Sequence, residues 1–316
     1  MHYIGIDLGG TKISGAVFSL DGSILIQKET LINGKTGTEV GALISQLIID
    51  ICKDGEIKVT DPKSIGICVP GIAYSQSGSV WCPNIPGWEN YPLRDEILRS
   101  VPASVVTIES DRTCYILGET TMGVARGCSN AIFIAVGTGI GAGILVDNQV
   151  LHGHSDIVGA IGWLGLKPPY TKKWDQCGCF ESHCSGEGLA TQARLFLKED
   201  KQYKGMLREK PISQVTSYDV FAGYKKKDPI AVKVINQAIE MWGMAAANLV
   251  SIFNPEMVIF GGGVFGPAAQ FIPKIYKEAT KWAQPISIKQ VKFTATALPK
   301  MAGLYGAGAV AIKFAK

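Results

Sequence analysis

Tyr3-Ile4-Gly5-Ile6-Asp7-Leu8-Gly9-Gly10-Thr11-Lys12-Ile13 is an apolar run carrying one acid, then a glycine turn, then a second apolar run. It reads as buried strand, tight Gly-Thr turn and second strand, closed by a polar hairpin at Asp21-Gly22. The chain repeats the arrangement. Ala131–Val136 leads into Gly137-Thr138-Gly139-Ile140, and the following hairpin falls at Asp147-Asn148. Glycines let a backbone approach an anion closely, and successive N–H groups then point into one concavity. Two such turns, one from each half of the chain, can grip a triphosphate from both sides. The first copy adds Asp7, a carboxylate suited to Mg²⁺, and Lys12, a cation suited to phosphate. The competing reading is a pair of ordinary hairpin turns. The matched context of the two copies weighs against it.

A chain of 316 residues has room for two domains, each with its own core. Apolar residues make up 47% and charged residues 18%, which suits a globular enzyme and excludes a disordered chain. The 31 basic and 27 acidic residues are interspersed. The densest basic run, Lys225-Lys226-Lys227, reads as a solvated loop before Asp228-Pro229, so nucleic acid is not an expected partner. No apolar run is long enough to span a bilayer, and the first strand begins almost at Met1, which leaves no signal peptide. Cysteines such as Cys52, Cys68 and Cys114 sit in apolar segments, as thiols do in a reducing compartment. The cytoplasm is the expected location.

Apolar residues from Val40 to Ile51 recur at helical spacing and predict a helix over Thr36–Lys53. Ser64–Val69 reads as a buried strand ending at Pro70-Gly71, and 71–92 as a structured loop region. Val105–Ile108 predicts a strand that runs through Glu109-Ser110-Asp111 into a helix. The polar trio therefore sits at a strand-to-helix junction, where functional groups collect in α/β folds. Asp228-Pro229 opens a long helix that Pro255 ends, followed by a strand at Met257–Phe260 and then Gly261-Gly262-Gly263. The glycines fit either a flat ligand lying against the backbone or a flexible lead into a helix. Ala302–Phe314 predicts a closely packed terminal helix.

In this order the motifs resemble the ROK family (repressor, open reading frame, kinase) of the sugar kinase, Hsp70 and actin superfamily, with a glucokinase-like pattern. Asp7–Lys12 resembles its first phosphate motif and Val136–Gly139 its second. Val69-Pro70-Gly71 and Pro83–Trp88 resemble its sugar-side loop, which brings in Gly71 and Asn84. Asn254–Glu256 with Gly261–Gly263 resembles its adenosine side, and Ala302–Ala307 its terminal helix. The resemblance implies an α/β, two-domain, actin-like ATPase (ribonuclease H-like) fold with an interdomain cleft. The expected domains are 1–115 plus 300–316, and 116–299. It also implies ATP- and Mg²⁺-dependent phosphorylation of a sugar hydroxyl, commonly by a homodimer. With Asp7 so near the start, a DNA-binding segment before the first motif is not expected.

By the same resemblance Asp111 is the catalytic base, the Asp of a Glu-Asn-Asp stretch that here reads Glu109-Ser110-Asp111. Asp at a helix start is also a common cap, and one Asp can serve both ends. Three departures touch the sugar pocket. Ser110 is shorter than the family's Asn. Gly159-Ala160-Ile161-Gly162-Trp163 replaces Gly-Glu-Ile-Gly-His, so Ala160 and Trp163 stand where a Glu and a His hold the sugar. Trp163 either stacks on a substituent of the acceptor or packs in the core. Third, the family holds a structural Zn²⁺ with a His and a Cys-x-Cys-x₄-Cys run. Cys177, Cys179 and Cys184 have that spacing, but the register that aligns Cys179-Phe180-Glu181 with the family's Cys-Leu-Glu leaves three of four ligands missing, and zinc is not expected. That register makes Glu181 a sugar-binding carboxylate.

A reading from another class is a non-catalytic sugar sensor on a kinase scaffold. Retention of Asp7, Lys12, Thr138 and Asp111 argues against it. A chaperone-like or actin-like ATPase lacks a use for Pro83–Trp88, and no Gly-x-Gly-x-x-Gly opens a helix after the first strand, as a dinucleotide enzyme needs.

Overall fold

The two matched segments become two matched sheets. The computed structural model describes residues 2–58, 60, 62–102 and 105–315. In the first half β1 (His2–Leu8), β2 (Lys12–Phe18) and β3 (Ile24–Leu31) form an antiparallel meander. Helix α1 (Thr38–Asp54) then carries the chain to β4 (Pro62–Val69), which lies parallel to β1. A short hairpin of β5 (Ile72–Ala73) and β6 (Val80–Trp81) and helix α2 (Leu93–Ser100) precede β7 (Val106–Ser110), parallel to β4. The sheet order is β3-β2-β1-β4-β7, and α3 (Asp111–Met122) leaves its end.

The second half repeats that topology. Strands β8 (Ala131–Val136), β9 (Ile140–Val146) and β10 (Gln149–Val150) form the meander. Helices α4 (Cys179–Cys184), α5 (Gly186–Glu199), α6 (Ser217–Lys225) and α7 (Pro229–Phe253) lead to β11 (Met257–Gly261), parallel to β8. Helices α8 (Phe265–Ala268), α9 (Ile272–Ala279) and α10 (Ser287–Gln290) lead to β12 (Lys292–Ala295), and the order is β10-β9-β8-β11-β12. The last helix, α11 (Ala302–Lys313), returns to the first sheet.

Local chemistry accounts for the elements. The apolar spacing of 40–51 puts Val40, Ile44, Leu47, Ile48 and Ile51 on the buried face of α1. In α7 the Asp228 carboxylate accepts from the N–H groups of Ile230 and Ala231, Pro229 occupies the first turn, and Asn254 closes the helix in the left-handed region before Pro255. The hairpins at Asp21-Gly22 and Asp147-Asn148 have positive φ at Gly22, Asp147 and Asn148. The predicted 105–108 strand runs on to Ser110, because β4 pairs with it as far as Val69↔Ser110.

Small residues let α11 lie close to its neighbours. A methyl group added at Gly66 would stand 2.1 Å from the Ala307 carbonyl oxygen, and one at Gly306 would stand 1.9 Å from that of Cys114. Helix α3 packs on α11 and also on β8 and β9, so its first residue, Asp111, lies where the two sheets approach one another.

Candidate active site

Strand pairing lays a polar row across the first sheet. Glu29, Ser14, Asp7, Cys68 and Glu109 are register partners on five neighbouring strands and share one face. Asp7 is the centre of the row. Its carboxylate lies against the start of α11, where a methyl group at Gly303 would come within 2.6 Å. Burial raises its pKa, against the opposing pull of the Cys68 thiol and Lys12. Lys12 reaches across to Glu29 at 2.6 Å, and Ser14 donates to the same oxygen at 2.8 Å. Both partners of this ion pair are about half exposed, so it is a weak hold on the lysine.

The turn between β1 and β2 is closed by the Gly9 N–H on the Lys12 carbonyl. A methyl group at Gly10 would meet nothing within 4 Å. The second turn has the same character. The Gly137 N–H bonds the Gly139 carbonyl, and Gly137 again opens on empty space. The fold itself does not need glycine at Gly10 or Gly137. Thr11 and Thr138 lie beside them in the two turns. Gly262, at φ +86°, brings the end of β11 against Val136, where a methyl group would strike the carbonyl oxygen at 2.4 Å. Gly261 packs on the ring of Phe133, whereas Gly263 is open. The three glycines therefore divide into two that the packing requires and one that it leaves free.

Asp111 is the first residue of α3, and it is not the cap. Ser110 takes that position, its hydroxyl accepting from the Thr113 N–H at 3.4 Å and donating to the Thr113 hydroxyl at 3.3 Å. Ser110 is buried and occupied in this way, whereas Asp111 is only partly buried. The Asp111 carboxylate accepts the neighbouring Arg112 N–H at 2.8 Å and a hydrogen bond from the Tyr115 hydroxyl. Burial pushes its pKa up to about 6, opposed by the Arg112 guanidinium and that N–H and reinforced by the negative charge of Asp7. A carboxyl group poised near neutrality at a strand-to-helix junction can take a proton from a substrate hydroxyl.

Glu181, on α4, touches the second turn. Its Oε2 accepts from the Ile140 N–H at 2.6 Å and fits between Gly139 and Gly162, where an added methyl group on either would be 2.9 Å away. Desolvation raises its pKa. Trp163 is 57% exposed, which removes the core-packing reading of that residue; Trp174 is the tryptophan buried in that region. Gly71 abuts the Trp81 carbonyl oxygen, and Asn84 is exposed on a loop anchored by Trp88, which stacks on Tyr91 and donates to the Gly37 carbonyl.

The cysteines do not converge. Cys177 sulfur is 3.3 Å from the Ser182 hydroxyl, Cys184 is buried in the apolar core, and the Cys179 carbonyl accepts from the His183 ring. Among the described residues no group of three or more His, Cys, Asp or Glu side chains is placed to hold a metal ion. Mg²⁺ needs less, because it takes one or two carboxylates together with phosphate oxygens and water. Asp7 fits that use: it is a desolvated carboxylate whose charge repels that of Asp111, a strain that a divalent cation relieves.

Three participants escaped the sequence reading. Glu29 holds Lys12, Cys68 contacts Asp7, and His152 sets its Nε2 3.1 Å from both oxygens of Glu109. Glu109 raises the pKa of His152, and the pair ties the segment after β10 to the end of β7. None belongs to a local motif; each is found only by knowing which strands are neighbours.

Two sheets of one topology, with a glycine turn at the same place in each and a carboxylate where they meet, define the two-domain actin-like ATPase fold with its interdomain cleft. The chain belongs to the ROK family, whose model matches residues 3–313. A glucokinase of Halalkalibacterium halodurans is 30% identical over 312 residues, covering 97% of this chain and 93% of the relative. A ROK hexokinase structure from Thermus thermophilus superposes with a TM-score of 0.81 at 26% identity, covering 98% of each chain. A ROK family glucokinase from Streptomyces griseus, solved with glucose and AMPPNP, gives 0.78 at 25% identity over 99% of this chain and all of that one. A xylose repressor of Caldicellulosiruptor bescii is also 30% identical, over 82% of this chain and 65% of its own length.

Proposed function

We propose that the chain is an ATP-dependent carbohydrate kinase that transfers the γ-phosphoryl group to a hydroxyl of a hexose or hexose derivative. The observation that carries this reading is Asp111: a desolvated but not fully buried carboxylate at a helix start whose cap another residue supplies. In the reaction the acceptor oxygen attacks the γ-phosphorus and forms the new P–O bond. The bond from that phosphorus to the β–γ bridging oxygen breaks, ADP leaves, and the hydroxyl proton passes to Asp111. The open turns at Gly10 and Gly137 receive the phosphates, with Thr11, Thr138 and the N–H groups of Gly9 and Gly139 around them. Lys12 leaves Glu29 for the phosphate, and Gly263, beside the packed Gly261 and Gly262, offers the flat backbone on which the base lies.

Asp7 would hold Mg²⁺, which supplies charge neutralisation on the phosphates when bound. Glu181 and Asn84 contact the acceptor, with Gly71 close behind and Trp163 offering an apolar face. Ser110 positions Asp111 by capping α3. Residues 1–115 with 300–316 form one closing body and 116–299 the other, a division supported by the packing of α11 on β1 and β4. The same reading makes the enzyme a cytoplasmic homodimer.

The test is ADP release with a sugar panel. Sugar phosphate formed with ATP and Mg²⁺, and lost in Asp111→Ala, supports the kinase. ATP-independent sugar binding with no turnover supports the sensor reading instead.

A further inference from the structure

At Glu109, close to Asp111 in the chain, the protein holds more space than one hexose fills. A cavity of about 1000 Å³ opens along the free edge of β7. Its walls are the turn of the β5–β6 hairpin at 74–79, strand residues 106–109 and the segment 152–156, with Phe314 at the end of α11. That volume is at the top of the range of about 300–1000 Å³ for small-molecule sites. The cavity reaches Glu109, two residues from Asp111, a separation of about 7 Å along extended chain.

The chemistry of the wall selects a neutral, hydroxyl-rich ligand. The charged groups are spent on one another or on the backbone. Glu109 is bonded to His152, Asp156 accepts from both the N–H and the hydroxyl of Ser75, and Arg94 donates to the carbonyls of Gln76 and Ser77. Among the described residues, the side chains of Gln76, Asn90 and Thr107 line the cavity with no hydrogen-bond partner. Tyr74 and Phe314, the latter 40% exposed, add aromatic faces. Amides and hydroxyls between aromatic rings fit a sugar ring; Arg94 is held by backbone carbonyls, and the imidazole of His154, which among the described residues lines the cavity without a hydrogen-bond partner, is a further group for a sugar hydroxyl. The wall also leads to the site. The segment 152–156 runs on to Gly159, whose carbonyl bonds β9 at Ala142, next to Gly141, which packs on Arg112. The next residue, Ala160, brings only a methyl group.

We propose that the acceptor is a disaccharide or glycoside, with the ring to be phosphorylated at Asp111 and the second ring or aglycone in this cavity. The proposal rests on the kinase reading, and the experiment separates the two. Phosphorylation of cellobiose, maltose and 4-nitrophenyl β-glucoside is measured beside that of glucose and N-acetylglucosamine. The same panel is run on Gln76→Trp and Thr107→Trp, both of which fill the cavity, with melting curves to confirm folding. Gln76, on an exposed turn, carries the test if Thr107→Trp does not fold.

The expected result is phosphorylation of at least one two-ring acceptor, and a fall of about tenfold or more in its kcat/KM relative to that of the monosaccharide in the variants. Turnover of monosaccharides alone overturns the proposal and leaves the kinase intact, as does a ratio that both folded variants, or Gln76→Trp alone, leave unchanged. No phosphorylation of any sugar overturns the kinase reading itself.

Discussion

The Asp111 side chain is set for chemistry at a cost to the fold. Burial raises its pKa to about 6, so the folded state holds a proton that the unfolded state has already lost between its ordinary value near 3.8 and about 6. Stability therefore falls as the pH rises through that window and stays lower above it. Asp111→Asn removes the penalty, which is about 3 kcal/mol at most. The variant is expected to melt a few degrees higher than the parent at pH 8 and at the parent temperature at pH 3.5, as calorimetry at the two pH values will show. The same substitution lowers kcat by about 10²–10⁴-fold, because the proton of the attacking hydroxyl loses its acceptor. In the unsubstituted enzyme kcat/KM rises about tenfold per pH unit up to about 6 and levels off above, since the base acts only when ionised. A pH–rate profile without that rise removes Asp111 from the role. Ser110 explains why the carboxylate is available: the shorter hydroxyl satisfies the Thr113 N–H, and Asp111 does not have to.

Among the elements, the glycine turns separate what the fold requires from what a ligand requires. Gly10→Ala and Gly137→Ala put a methyl group into empty space, so the melting temperature without ligand stays within the change expected for about 0.5 kcal/mol. Their KM for ATP rises about tenfold or more, because the phosphates lose the close approach. Gly262→Ala behaves differently. It demands a positive φ and strikes the Val136 carbonyl oxygen, and about 1–3 kcal/mol of stability is lost before any ligand is added. Melting curves with and without AMPPNP distinguish the two classes. If Gly10→Ala and Gly137→Ala leave the AMPPNP shift of the parent intact, the turns are plain hairpins. Lys12 belongs to the same scale. Its 2.6 Å contact with Glu29 spans β2 and β3, so the cation is already held at the mouth of the turn.

For the whole molecule the prediction is closure. Two sheets meet at α3, and cross-contacts such as Glu109 with His152 and Ser75 with Asp156 join segments from the two halves. Small-angle scattering is expected to show a smaller radius of gyration with AMPPNP, Mg²⁺ and acceptor together than with none of them. EDTA abolishes both that change and turnover, since Lys12 alone cannot neutralise a triphosphate. An unchanged scattering curve with saturating ligands speaks against a cleft that closes.

The strands, the two glycine turns and the long helix from Asp228 were legible in the sequence because period, caps and turn residues act over a few neighbouring positions. Asp7, Lys12 and Asp111 could be named for the same reason, with the help of a resemblance that spans the chain. Sequence alone left open whether Asp111 caps its helix, where Trp163 lies, and which partners Glu109 and Lys12 have. The cap proved to be the adjacent Ser110, through its contact with Thr113; the other questions were decided by the packing of segments far apart in the chain. Strand order alone puts Glu29, Ser14, Asp7, Cys68 and Glu109 in one row, and the return of α11 sets how deeply Asp7 is buried. Local pattern fixes which residues are able to do chemistry; desolvation and neighbouring charge, which exist only in the folded molecule, fix what protons and partners they carry.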